Sequence, residues 1–146
     1  MPRRIRHYGW MVSPYTAKTR AYLHFAEVPF DDIAPTLPTL YFKIARAVGA
    51  FIMPTVELAD GTFMKDSSDI VDHFARLSPA FSVTPTSPRQ RITSAVLEVF
   101  ADEWLPMVAL YYRWRRPKNA AFAIAEFGKN GVPFLPVPLQ RREEQH

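Results

Sequence analysis

The chain has no cysteine in its 146 residues. That absence removes disulfides, a thiolate nucleophile, Cys-x-x-Cys redox chemistry and thiolate metal sites in one step. Histidine is scarce too: His7, His24, His73 and His146 show no His-x-x-x-His spacing, so the sequence implies no metal site. No window approaches the roughly 18 consecutive apolar residues of a membrane-spanning helix, and the N-terminal Met-Pro-Arg-Arg-Ile-Arg lacks the apolar stretch of a secretory signal. A cytoplasmic location and no membrane partner follow as expectations. Acidic residues, 14 against 18 basic, are too few to neutralise the chain, which carries a net charge of +4. The basic residues gather at 3–6, 113–118 and 141–142 and form no groove, so they imply a solvated surface or steering of an anionic small molecule, with no nucleic-acid partner.

What is present is apolar and aromatic. Hydrophobic residues make up 48% of the chain, aromatics 14% and charged residues 22%, a balance that can bury a core and excludes disorder as the main state. The length suits one ordinary domain, or a small domain with part of a second.

Residues 5–11 read as a strand, because aromatic and apolar side chains run without a break into Ser13-Pro14. Ser13 is an N-cap residue and Pro14 suits a first helical turn, where a missing N–H costs nothing. A helix is therefore predicted over 14–26, with Ala17, Ala21, Tyr22 and Phe25 on its inner face. Residues 29–33 form a short second strand and 40–48 a weaker helix closed by Gly49. Residues 55–58 and 62–65 pair as a hairpin around Ala59-Asp60-Gly61, since Asp-Gly supplies the positive φ of a tight turn. Asp66 or Ser67 caps a helix to about residue 78, with Ile70, Val71, Phe74 and Ala75 facing inward. The order is βαβαββα, an α/β domain.

Prolines interleaved with serine and threonine over 79–88 mark a linker. A long helix follows from about residue 89, with Ile92, Val96, Val99, Phe100, Trp104, Met107, Val108 and Tyr111 at helical spacing and a kink at Pro106. A second helix covers 119–127 and stops at Gly128; the Pro-rich, charged tail 131–146 is expected to hold little structure.

Three separated features agree on one resemblance. The segment Ser13-Pro14-Tyr15-Thr16-Ala17-Lys18-Thr19-Arg20 is similar to the first-helix motif of the cytosolic glutathione transferases, Met53-Pro54 to their cis-proline signature, and Asp66-Ser67-Ser68-Asp69-Ile70 to their Glu/Asp-Ser-x-x-Ile signature. The likeness covers about residues 5 to 130. It implies a thioredoxin-like, mixed-sheet, glutathione-binding domain at 1–80, a linker at 81–88 and a truncated all-helical domain at 89–146. Only 58 residues follow Pro88, fewer than the family's helical domain usually has.

Glutathione carries two carboxylates, an ammonium and a thiol, so its site needs backbone pairing, an anion-binding helix end and thiolate stabilisation. The resemblance implies that the backbone of Met53, before a cis Pro54, pairs with the cysteinyl unit. It further implies that Ser67 donates to the γ-glutamyl carboxylate at the positive end of a helix and that Asp66 pairs with the ammonium. Read without the family, Pro54 merely starts a strand, and Asp66, Ser67 and Asp69 merely cap a helix. The thiol, with a pKa near 8.5, must be biased toward its anion, and Ser13 at a helix N-terminus can donate its O–H to the sulfur. A Ser-Pro pair alone is usually just a helix cap. Tyr8 is the rival, since several transferase classes use a first-strand tyrosine; counted back from Arg20, however, Gly9 holds that position, and a one-residue offset in a strand turns a side chain to the opposite face. Lys43 and Arg46 could meet the glycyl carboxylate, with solvent exposure as the alternative. Trp104, Tyr111, Tyr112 and Trp114 read either as an aromatic wall for an apolar substrate or as core packing.

Without cysteine the chain cannot run thiol transfer through its own mixed disulfide. The resemblance then implies a transferase with no prosthetic group that takes glutathione as co-substrate, conjugates it to an unidentified electrophile and pairs as a homodimer. The alternative is a non-catalytic glutathione-binding or transferase-like interaction module.

Overall fold

The computed structural model describes residues 4–132, and the predicted unstructured tail lies, from residue 133 onward, outside the described residues. Strand β1 (Ile5–Tyr8) runs parallel to β2 (Phe30–Ile33) and antiparallel to β3 (Thr55–Glu57), and β4 (Phe63–Lys65) closes the far edge against β3, giving the order β2-β1-β3-β4. β1 is shorter than predicted. After Tyr8 the chain gives one more N–H to the sheet, from Gly9 to the Ile33 carbonyl at 3.1 Å, and then turns, with Ser13 N–H donating to Trp10 O at 3.0 Å.

Alternation along β1 sends His7 and Tyr8 to opposite faces. On the His7 side, α1 (Pro14–Phe25) and α3 (Ser67–Leu77) cover the sheet around a core of Tyr22, Leu23, Ala26, Val56, Ile70, Phe74 and Ala75. On the Tyr8 side a wide, π-type helical turn at Thr39–Ile44 leads into α2 (Ala45–Val48), and Leu40 and Ile44 pack on the Tyr8 ring. Gly49 ends that helix at φ 70°, a left-handed conformation that only glycine adopts without strain.

The inner face of α1 differs from the prediction. Thr16, Thr19, Tyr22 and Leu23 are its buried residues, whereas Phe25 is 57% exposed. Two threonines hold core positions: Thr16 packs against Gly9, and Thr19 meets a polar patch of the sheet, where His7, fully buried, places Nε2 2.7 Å from Thr19 Oγ1 and Nδ1 2.8 Å from Asp32 Oδ1. Burial holds the His7 imidazole below its ordinary pKa despite the nearby Asp32. The neutral ring therefore donates from Nδ1 to Asp32 and accepts at Nε2 from Thr19.

The segment after α3 begins as a single tight turn, Pro79–Phe81, held by the Tyr22 hydroxyl on the Phe81 carbonyl at 3.1 Å. Beyond it come α4 (Pro88–Val99), a π-type turn at Phe100–Trp104, α5 (Leu105–Arg115) and α6 (Pro117–Gly131). Pro106 falls in the first turn of α5, and the helical register opens just ahead of it. Gly128 does not stop the last helix. A glycine costs a helix interior only about 1 kcal/mol, and here the face of Ala123, Gly128 and Gly131 is buried, with the Gly131 side of the helix against Leu37 and Trp10. The predicted inner face of the long helix is uncovered: Ile92, Val96 and Trp104 are each more than 60% exposed. Helical spacing marks a face fit for burial, and no described element lies over this one. None of the described helices is long and apolar enough to cross a membrane.

Candidate functional site

Two clefts meet where α1, the Met53-Pro54 segment and the π-type turn before α5 converge. The first, of about 290 Å³, is polar and is lined by Tyr15, Met53, Pro54, Asp66, Ser67, Ser68, Asp102 and Glu103, with Ile52 at its side. The second, of about 270 Å³, is mostly apolar and brings together Trp10, Ser13, Pro106, Leu110, Arg113 and Phe127. Tyr15 and Met53 line both, so the clefts adjoin.

Ser13 is the N-cap of α1, its Oγ accepting from Thr16 N–H at 3.2 Å. That bond uses an oxygen lone pair and leaves the hydroxyl proton to donate into the cleft. Gly9 stands where the rival tyrosine would be, and no side chain fits there: a Cβ would lie 2.2 Å from Thr16 Cγ2, inside a buried threonine. Tyr8 is 2% exposed on the far face, its hydroxyl donating to Glu57 at 2.7 Å and accepting from Lys43 Nζ at 2.6 Å. Lys43 thereby serves the Glu57 cluster and lies away from both clefts, while Arg46 is exposed.

The peptide before Pro54 is cis. Asp66 is the cap of α3 and holds a non-glycine φ of 71°; its Oδ1 accepts from Ser68 N–H at 2.9 Å and Asp69 N–H at 3.4 Å. Ser67, the first residue of α3, is 6% exposed, lines the polar cleft, and its hydroxyl has no hydrogen-bond partner among the described residues. Behind them Lys18 Nζ ties α1 to α3 and α4 through Ser68 at 3.0 Å, Glu98 at 2.8 Å and Asp102 at 2.8 Å. Burial opposes the Lys18 charge, but these partners outweigh it and hold its pKa above the ordinary value.

The sequence-predicted Met53, Pro54, Asp66 and Ser67 thus share one cleft, with Ser13 in the adjoining one. Sequence reasoning missed Asp102, Glu103, Arg113 and Phe127 as lining residues. Pro106 was the available signal, since a break in a helix exposes side chains and carbonyls that a straight helix hides. The four proposed aromatics make neither wall nor core: Trp104, Tyr111, Tyr112 and Trp114 are about half exposed or more, and only Trp114 stacks on a cleft residue, Phe127, with ring centroids 6.2 Å apart. Among the described residues no group of His, Asp and Glu is placed to hold a metal ion.

A model of the N-terminal domain of glutathione S-transferase matches residues 8–88. The chain belongs to the glutathione S-transferase family. Its thioredoxin-like domain and following helices superpose on the Tau-class transferase of mango, Mangifera indica, at a TM-score of 0.65 and 19% identity, covering 86% of this chain and 58% of that one. A diazinon-metabolizing transferase of the silkworm Bombyx mori gives 0.66 and 17%, covering 86% and 65%. The transferase of Methylobacterium radiotolerans, solved in complex with glutathione sulfonate, gives 0.64 and 22%, covering 97% and 62%. The chain spans less than two thirds of each of these transferases. No curated protein sequence matches it.

Proposed function

We propose that the protein binds glutathione across the polar cleft, stabilises its thiolate with Ser13 and transfers it to an electrophile seated in the apolar cleft. The adjacency of the two clefts, which share Tyr15 and Met53 as lining residues, supports this reading. Met53 offers its backbone to the cysteinyl unit, the free Ser67 hydroxyl and the first turn of α3 receive the γ-glutamyl carboxylate, and Asp66 pairs with the ammonium. The thiol then falls toward Ser13, whose O–H and helix dipole favour the anion. The thiolate forms the S–C bond, and the electrophile takes up the electron pair or releases it with a leaving group. Residues 1–80 act as the glutathione-binding domain, 81–88 as linker and the residues from 89 as a partial helical domain. Two chains associate through α3, α4 and α5.

Binding without turnover is the second reading, favoured by the uncovered apolar face of α4 and α5, which suits a protein partner. Retention on immobilised glutathione with turnover of 1-chloro-2,4-dinitrobenzene supports the first reading. Retention without turnover supports the second, and no retention rejects both.

A further inference from the structure

Among the described residues, Arg113 is the only charged one lining the mostly apolar second cleft. It is half-buried, makes no ion pair with any described carboxylate, and donates one Nη2 hydrogen to the backbone carbonyl of Val12, the residue before Ser13. A guanidinium has five N–H donors in a rigid fork. With one spent on Val12, the rest of the fork is held at a fixed place beside the Ser13 hydroxyl, among Pro106, Leu110 and Phe127. An unpaired cation in an apolar cleft is matched by an apolar ligand bearing an anion, and a planar carboxylate fits the fork best. A cleft of about 270 Å³ sits at the small end for ligand pockets, which limits that ligand to about one ring.

We propose that the preferred second substrate is a compact aromatic electrophile carrying a carboxylate, with Arg113 as the residue that recognises it. The inference rests on the conjugating reading. In the balanced step, the glutathione thiolate adds to a ring carbon bearing a halogen, the S–C bond forms, and the halide leaves with the electron pair of its bond. The carboxylate is remote from the reacting carbon and keeps its charge throughout. Arg113 therefore binds ground state and transition state about equally, and its effect belongs in KM more than in kcat.

The test compares 4-chloro-3-nitrobenzoate with its uncharged amide, 4-chloro-3-nitrobenzamide, as second substrates for the full chain and its Arg113→Met and Arg113→Lys variants. The wild type should favour the benzoate in kcat/KM by about tenfold or more, the worth of one charge-assisted hydrogen bond. Arg113→Met should erase that preference through KM, and Arg113→Lys should keep part of it. Calorimetric binding of the benzoate without glutathione supplies an arm that needs no turnover, and there Arg113→Met should weaken binding by a similar factor. Equal use of both substrates by the wild type, an equal loss of both in Arg113→Met, or unweakened benzoate binding would overturn the inference. So would a loss of glutathione affinity in Arg113→Met as large as the loss for the benzoate, which would put Arg113 in the glutathione site. Benzoate binding that depends on Arg113 without any conjugation would retain the anion site and reject the conjugating reading instead.

Discussion

The Tyr15 hydroxyl donates to the backbone carbonyl of Asp102 at 2.6 Å, the acceptor that an α-helix would satisfy from residue 106, where Pro106 has no N–H to give. One side chain of α1 thus repairs a break in the helical segment between α4 and α5 and fixes the corner where the two clefts meet. Burial, with the charges of Asp102 and Glu103, raises the Tyr15 pKa, which keeps the hydroxyl a donor. Tyr15→Phe should lower stability by about 0.5–1.5 kcal/mol, the worth of one hydrogen bond, and weaken binding in both clefts. Urea unfolding checks the first effect, and an unchanged midpoint would show that the carbonyl finds another donor.

Ser13→Ala should reduce conjugation while leaving glutathione affinity nearly intact, since the interaction selects the thiolate over the thiol. The pKa of bound glutathione should rise toward the free-thiol value, read from ultraviolet absorbance of the thiolate. Loss of the cap to Thr16 should also cost about 0.5–2 kcal/mol, so rates belong well below the melting range. An unmoved thiol pKa would assign the role to backbone donors, because the Tyr8 hydroxyl is committed to Glu57 and Lys43.

Asp66 and Ser67 carry the polar end of the ligand in this reading. Asp66→Ala with Ser67→Ala should lower glutathione affinity by more than tenfold, the combined loss of an ion pair and a charge-assisted hydrogen bond. Equal calorimetric affinities for variant and wild type would remove the assignment.

Capping chemistry explains why so much was legible. Ser13-Pro14, Asp66-Ser67 and Ala59-Asp60-Gly61 are local signals whose meaning does not depend on the rest of the fold, and each lies at an element boundary in the structure. The inner face of α1 was not legible, because Thr19 is buried with His7 of β1 as its partner and Thr16 is buried against Gly9 just after that strand. Gly128 misled for the complementary reason: tertiary packing of α6 on Trp10 and Leu37 overrides a weak local propensity. The lining of the apolar cleft depends on how α5 and α6 fold back toward α1, which no local pattern encodes.

His7 should make stability pH-dependent on the acid side. Its folded pKa lies below the ordinary 6.5, chiefly through burial, with Asp32 pulling the other way and Arg20 and His24 adding to the depression. Between those two values the unfolded chain binds more protons, so the contribution is complete above about pH 6.5 and is lost as pH falls through the folded value. Asp32 adds to the loss at lower pH: burial works against its carboxylate, but hydrogen bonds from Arg20 and His7 outweigh it and hold the pKa down. Denaturant midpoints across this range should fall with acid in the wild type and more shallowly in His7→Gln. Parallel slopes would move the proton uptake to another group.

The last prediction concerns the uncovered face of α4 and α5. Val96, Trp104 and Tyr111 are each about 60% exposed, with Ile92, Phe100, Met107 and Val108 beside them in sequence at helical spacing. Single exposed apolar residues are ordinary on a protein surface, but a contiguous helical stripe is not. Covering about 600 Å² of it would release about 15 kcal/mol of gross transfer free energy at roughly 25 cal/mol per Å², before association costs of several kcal/mol are set against it. A two-fold pairing covers the same stripe on both chains at once, because each face meets its own copy. Light scattering at micromolar concentration should therefore give a mass near twice the 16.8 kDa of the chain. Val96→Glu with Trp104→Glu should shift it toward the single-chain mass by placing like charges in the contact. A wild-type species that stays at the single-chain mass and remains soluble would show that the stripe tolerates water, and the dimer would be rejected.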